Sequence, residues 1–80
     1  MRALVVKYLA NSQTMQALVE AEEALLDERQ PSFEIEGEDE SEQLMHVFAS
    51  IFVLRHMREH GSEFNEALRV YNRKTQLVLD

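Results

Sequence analysis

"LMHVFASIFVLRHMREHG", residues 44–61, is the stretch on which the fold turns. It reads as the body of a helix from about residue 39 to residue 60, roughly 33 Å long at about 1.5 Å per residue. One stripe carries Leu44, Val47, Phe48, Ile51, Arg55 and Arg58, and a second, nearly opposite, carries Met45, Ala49, Phe52, Val53, His56 and His60. A helix that is apolar almost all round its middle needs cover on every side. It is therefore the organising element, and whatever else the chain forms packs onto it.

Both ends of this helix are written in the sequence. "DESE" at 39–42 reads as a capping box, with Asp39 accepting from the first-turn amides and Glu42 reaching back. Acids at this end also suit the positive pole of the helix dipole. Gly61 is the expected left-handed stop, and Ser62 the expected cap of a fourth helix over 63–79. That helix has Phe64, Ala67, Leu68, Tyr71, Thr75 and Val78 at amphipathic spacing.

Upstream, Asn11 or Ser12 is the expected cap of a helix over about 13–29 that Pro31 ends. Met15, Leu18, Val19, Leu25 and Leu26 form its apolar side, and Ala17, Ala21 and Ala24 allow close approach. Leu4, Val5, Tyr8 and Leu9 in "ALVVKYLA" (3–10) fall at helical spacing, and a helix is expected, although Val5 and Val6 also suit a strand. The expectation is one all-α domain over residues 1–80: a small three- to four-helix bundle with a long central third helix and an acidic connector.

With 80 residues the chain buries only about 60% of its unfolded surface, so its core is marginal. It has no cysteine for a disulfide or thiolate metal site, which leaves self-association as the way to add core. The apolar run "VFASIFVL" (47–54) is far short of the roughly 20 residues that span a bilayer. Lys7 interrupts the apolar start and no small-residue cleavage site follows. A soluble, cytoplasmic protein without membrane contact is expected.

The formal net charge is −7, and it is regional. Residues 20–42 hold eleven acids against Arg29, a net of −10, while the first nineteen residues net +2 and the rest +1. Direct nucleic-acid binding is disfavoured. The acidic run "EIEGEDESE" (34–42), with Glu36, Glu38, Asp39 and Glu40 at its centre, reads first as a solvated connector and helix start. Its acidity also fits adaptation to high salt.

"HMREH" (56–60) matches the H-x-x-E-H zinc signature of the inverzincin peptidases. Those enzymes need a large fold and a distant glutamate ligand, and only twenty residues follow here. The plainer reading gives His60 a place at the negative pole of the helix and His56 a half-buried boundary. His56, His60 and Glu63 remain a weak metal-site candidate; no cofactor is expected. Ser32, Glu34 and Glu36 with Gly37 and Gln43 can be laid on a calcium loop, but Gln43 lacks the bidentate carboxylate of its last position. The serines have no nucleophile-elbow context and the two glycines form no phosphate loop, so no catalytic residue is expected. Arg55, Arg58, Arg69 and Arg73 are read as pairing with Glu59, Glu63 and Glu66, or with the acidic second helix, in preference to binding an anion.

"LVVKYL", "EAEEALLDE" and above all "LMHVFASIFVLRHMREHGSEFNEALRVYNRK" resemble a family of small uncharacterised bacterial proteins, known mainly from the Bacteroidetes and relatives. This chain departs from it in a shortened first segment and a longer acidic connector. The resemblance implies an all-helical fold and brings no activity and no functional residues.

The leading expectation is a non-enzymatic helical interaction module, a homodimer joined through Ala49, Phe52, Val53 and Met57. The alternative is an acidic nucleic-acid mimic that binds a basic partner protein through Glu36, Glu38, Asp39 and Glu40.

Overall fold

In the computed structural model, which describes residues 1–79 and side chains as far as Thr75, four helices follow in chain order: α1 (Ala3–Ser12), α2 (Met15–Leu26), α3 (Glu40–His60) and α4 (Phe64–Leu79). Among the described residues there is no strand and no helix long and apolar enough to cross a membrane. At about 1.5 Å per residue α3 is roughly 32 Å long, as long as the molecule's largest extent of 32 Å. Helices α1, α2 and α4 all pack on it.

The open choice at residues 3–10 resolves to helix, with a rotated inner face. Val5, Val6, Leu9 and Ala10 are buried, whereas Leu4 and Tyr8, expected on the apolar side, are 82% and 67% exposed. The rotation lets α1 work as a wedge. Val5 and Leu9 join Leu18, Ala21, Leu25, Ile35, Val47 and Ile51 on the α2 side. Val6 and Ala10 join Ala49, Val53 and Ala67 on the α4 side. Adjacent pairs i, i+1 point about 100° apart on a helix, which is what two flanking cores require.

Helix α2 starts and stops differently from its sequence signals. Ser12 is the last residue of α1, and the cap is Thr14, whose hydroxyl accepts from Ala17 N–H at 3.0 Å. The helix ends at Leu26 without reaching Pro31. There Glu28 takes the left-handed conformation at φ 59°. Arg29 N–H donates to Ala24 O at 2.7 Å and Glu28 N–H to Leu25 O at 3.2 Å, which is the paired closure of a Schellman motif. Leu26, expected on the apolar side, is 58% exposed. Glycine normally occupies the Glu28 position, because a Cβ is strained there. Glu28→Gly is expected to stabilise the fold by about 1 kcal/mol, a rise of roughly 4–8 °C in Tm for a domain this size. A melting temperature unchanged or lowered in a calorimetric scan would contradict the strain argument.

The ends of α3 follow the sequence more closely. Asp39 caps it, accepting from Glu42 N–H at 2.8 Å. Glu42 reaches back one residue further than a standard box, taking Glu38 N–H at 2.9 Å. That bond holds the Glu42 carboxyl below its ordinary value, opposed by desolvation and assisted by Arg2, 3.8 Å away. A carboxyl lowered in the folded state stabilises it above the unfolded pKa and stops doing so as pH falls through the folded one. The start of α3 therefore loosens in acid. Gly61 closes the helix at φ 63°. Ser62 does not cap α4: Ala67 N–H bonds to Glu63 O, and the Ser62 hydroxyl is engaged by His56. In α4, Ala67 is fully buried and Phe64, Leu68 and Tyr71 pack beside it; the expected place of Val78 lies outside the described side chains.

Candidate functional site

The acidic connector is extended and seated on the bundle. Ser32, Glu34 and Glu36 are exposed while Phe33 is half-buried and Ile35 buried, the period-2 alternation of an extended chain with one apolar face. Ile35, at 5% exposure, belongs to the core of α1, α2 and α3. Gln43 Nε2 donates to Ile35 O at 3.1 Å. The next carbonyl, of Glu36, lies 2.7 Å from His46 Nδ1.

His46 is the hinge of this seat, and no sequence motif had pointed to it. It is 0% exposed, and Arg2 N–H donates to its Nε2 at 3.0 Å. A carbonyl can only accept and an amide can only donate, so the proton sits on Nδ1 and the lone pair on Nε2. One neutral imidazole thus ties the start of α1 to the connector across α3. One turn on, the buried Ser50 hydroxyl lies 2.7 Å from His46 O and 3.3 Å from Val6 O. The available signal was this polar pair, i and i+4, inside an otherwise apolar run; such a pair is buried only when hydrogen-bonded.

Gly37 is demanded by the same contact. A Cβ there would lie 2.7 Å from Gln43 Cγ and 2.8 Å from Gln43 N. The second of these is helix backbone and cannot step aside. Gly37→Ala is expected to lift the connector and cost about 1–3 kcal/mol, seen as a lower melting temperature and faster proteolysis between residues 30 and 40. Unchanged values in both would remove the close approach from the argument.

The acids themselves face solvent. Glu34, Glu36, Glu38, Asp39 and Glu40 are all exposed, with Asp39 committed to the α3 cap. The calcium-loop alignment finds no converging ligands, since Gln43 is engaged by Ile35 O and Ser32, Glu34 and Glu36 point outward.

At the other end of α3, His56 Nδ1 and Ser62 Oγ are 2.8 Å apart. The His56 ring lies 4.5 Å from that of His60 and 6.0 Å from that of Phe52. Glu63 is exposed. Among the described residues no three histidines or carboxylates gather in a way that could hold a metal ion. The candidate trio His56, His60 and Glu63 forms no such group, and the His56 ring nitrogen is engaged by Ser62. The expected pairing of the arginines is also absent: the ion pairs among the described residues are Arg2–Glu42 and Arg29–Asp27. Lys74 instead sits 5.4 Å over the Phe52 ring.

The largest correction concerns the expected interface. Ala49 and Val53 are 0% exposed, enclosed by Val6 and Ala10 of α1 and Ala67 of α4. Phe52 and Met57 are half-buried. The chain's own helices fill the face assigned to a second copy. What stays uncovered is a strip further round α3, where Met45 is 46% and Phe48 39% exposed, continued by the half-buried Phe52 and exposed Arg55. Burial of Tyr71, 5.5 Å from Phe52 beside this strip, pushes its hydroxyl pKa up.

A family model described as a family of unknown function, DUF6952, matches residues 1–80. No curated protein and no solved structure matches the chain.

Proposed function

Because the chain belongs to the family of unknown function DUF6952, which brings no activity with it, we propose a function from its surface: a non-enzymatic helical interaction module that self-associates. The strip of Met45, Phe48 and Phe52 supports this reading. Three helices pack on α3, yet two large apolar side chains stay 46% and 39% exposed on it. Exposed contiguous apolar surface on a small domain marks a contact site. Sedimentation velocity from about 1 to 500 μM tests it, a range spanning weak to moderate dimers. A sedimentation coefficient rising with concentration toward that of a dimer is expected; a single monomeric value throughout would overturn self-association.

One observation favours a second reading. Leu4 and Tyr8 project from α1 beside Glu34 and Glu36, an apolar spot with an acidic rim that suits a basic partner protein. Two copies meeting there would oppose like charges, so this spot is not the self-association surface. Neutralising Glu34, Glu36, Glu38 and Glu40 would abolish salt-sensitive capture of a basic protein in this reading, and leave capture unchanged otherwise.

A further inference from the structure

We propose that the partner seated on the α3 strip is a second copy of this chain, lying antiparallel, with the acidic start of one α3 against the basic end of the other. The proposal rests on the self-association put forward above and adds the surface, the direction and the charge pairing. Its basis is the order of side chains along one exposed face. Ser41, Met45, Phe48, Phe52 and Arg55 follow one another at spacings of three and four, the repeat that keeps a helix face in line. Phe48 is the midpoint of that row. An antiparallel two-fold through it places Met45 near the partner's Phe52 and Ser41 near the partner's Arg55, an isologous contact that closes on itself.

Charge then selects the direction. Glu38, Asp39 and Glu40 are exposed at one end of α3, and Arg55 and Arg58 at the other. Glu40 and Arg58 are 18 residues apart, about five turns at 3.6 residues per turn, and so lie on the same edge of the helix. From Phe48 they stand roughly 12 Å and 15 Å away in opposite directions at about 1.5 Å per residue. Reversal about the two-fold brings the Glu40 of each copy beside the partner's Arg58. A parallel arrangement would stack acid on acid and base on base. Neither Arg55 nor Arg58 has an ion-pair partner within its own chain among the described residues. Glu59, on the same face, is the α3 acid at the basic end; about 16 Å from Phe48 at about 1.5 Å per residue, it falls level with the partner's Gly37 and Glu38, a like-charge approach that the Glu40–Arg58 pairs outweigh.

Two exposed double reversals test the arrangement without touching the core. Arg55→Glu with Arg58→Glu makes both ends of α3 acidic, and Glu38→Arg with Glu40→Arg removes the acidity of its start and sets an arginine against the partner's Arg58. Each variant alone is expected to self-associate at least about tenfold more weakly than the unmodified chain, and an equimolar mixture to recover dimer to within about threefold. Circular dichroism of each variant reports whether the fold is kept. Unmodified chain that dimerises while both variants dimerise equally well, or folded variants whose mixture stays monomeric, would overturn the antiparallel pairing and leave self-association standing. Unmodified chain that is monomeric throughout overturns both. A Phe48→Glu variant places two carboxylates at the two-fold and is expected to give monomer; a full-strength dimer would move the contact off this face.

Discussion

Val53→Glu is expected to abolish folding, leaving a chain without helical circular dichroism at any concentration. Val53 is fully buried between Val6, Ala10, Ala49 and Ala67. A carboxylate there has no cationic partner, and an unpaired buried charge costs more than about 4 kcal/mol even after relaxation. An 80-residue domain has a total stability of roughly 4–12 kcal/mol, so most or all of it is consumed. The outcome also separates two views of α3. Were this face an interface between copies, the same substitution would give a well-folded monomer. A helical, cooperatively melting monomer would therefore restore the interface expected from the sequence and remove α4 from its place.

His46→Ala is the second large effect, expected at about 3–5 kcal/mol by urea denaturation. It combines the cavity left by a fully buried side chain with two orphaned backbone groups, Arg2 N–H and Glu36 C=O. Because those groups belong to α1 and to the connector, the loss is not local. The connector should release together with the α1 start, and proteolytic cleavage between residues 30 and 40 should accelerate. His46→Gln can satisfy one of the two partners and is expected to fall between. A loss below about 1 kcal/mol for the alanine variant would mean that water reaches both groups and that the imidazole bridges nothing of consequence.

These two positions show why the sequence could be read only so far. The apolar repeat of residues 44–57 gives helix directly, since hydrophobic periodicity reports how a segment curls. It does not report which arc of a nearly all-apolar helix will be covered. The sequence reading therefore placed Val53 at a partner's surface, and α4 covers it. The same gap explains α1: Leu4 and Tyr8 fit an i, i+4 row as well as Val5 and Leu9 do, and only the wedge between two cores chooses the latter pair. At α2, Pro31 was the visible stop, but the helix closes earlier because Glu28 accepts a left-handed backbone that no residue type there announces.

The acidic connector divides in the same way. Its caps were legible, because Asp39 and Glu42 act within one helical turn. Its docking was not, because Gly37 against Gln43, and His46 against Arg2 and Glu36, join residues up to 44 positions apart. What the sequence determined by itself was everything set by local physics: the helices that become α2, α3 and α4, the Asp39 start and Gly61 stop of α3, and the uneven spread of charge, with residues 3–10 left open between helix and strand. What tertiary structure alone decided was the helical state of residues 3–10, the burial of Ala49 and Val53, the exposure of Met45 and Phe48, and the bond of His56 to Ser62. Each of these depends on which helix packs against which arc, and that is fixed by the closeness of whole elements in space, which no short window of residues contains.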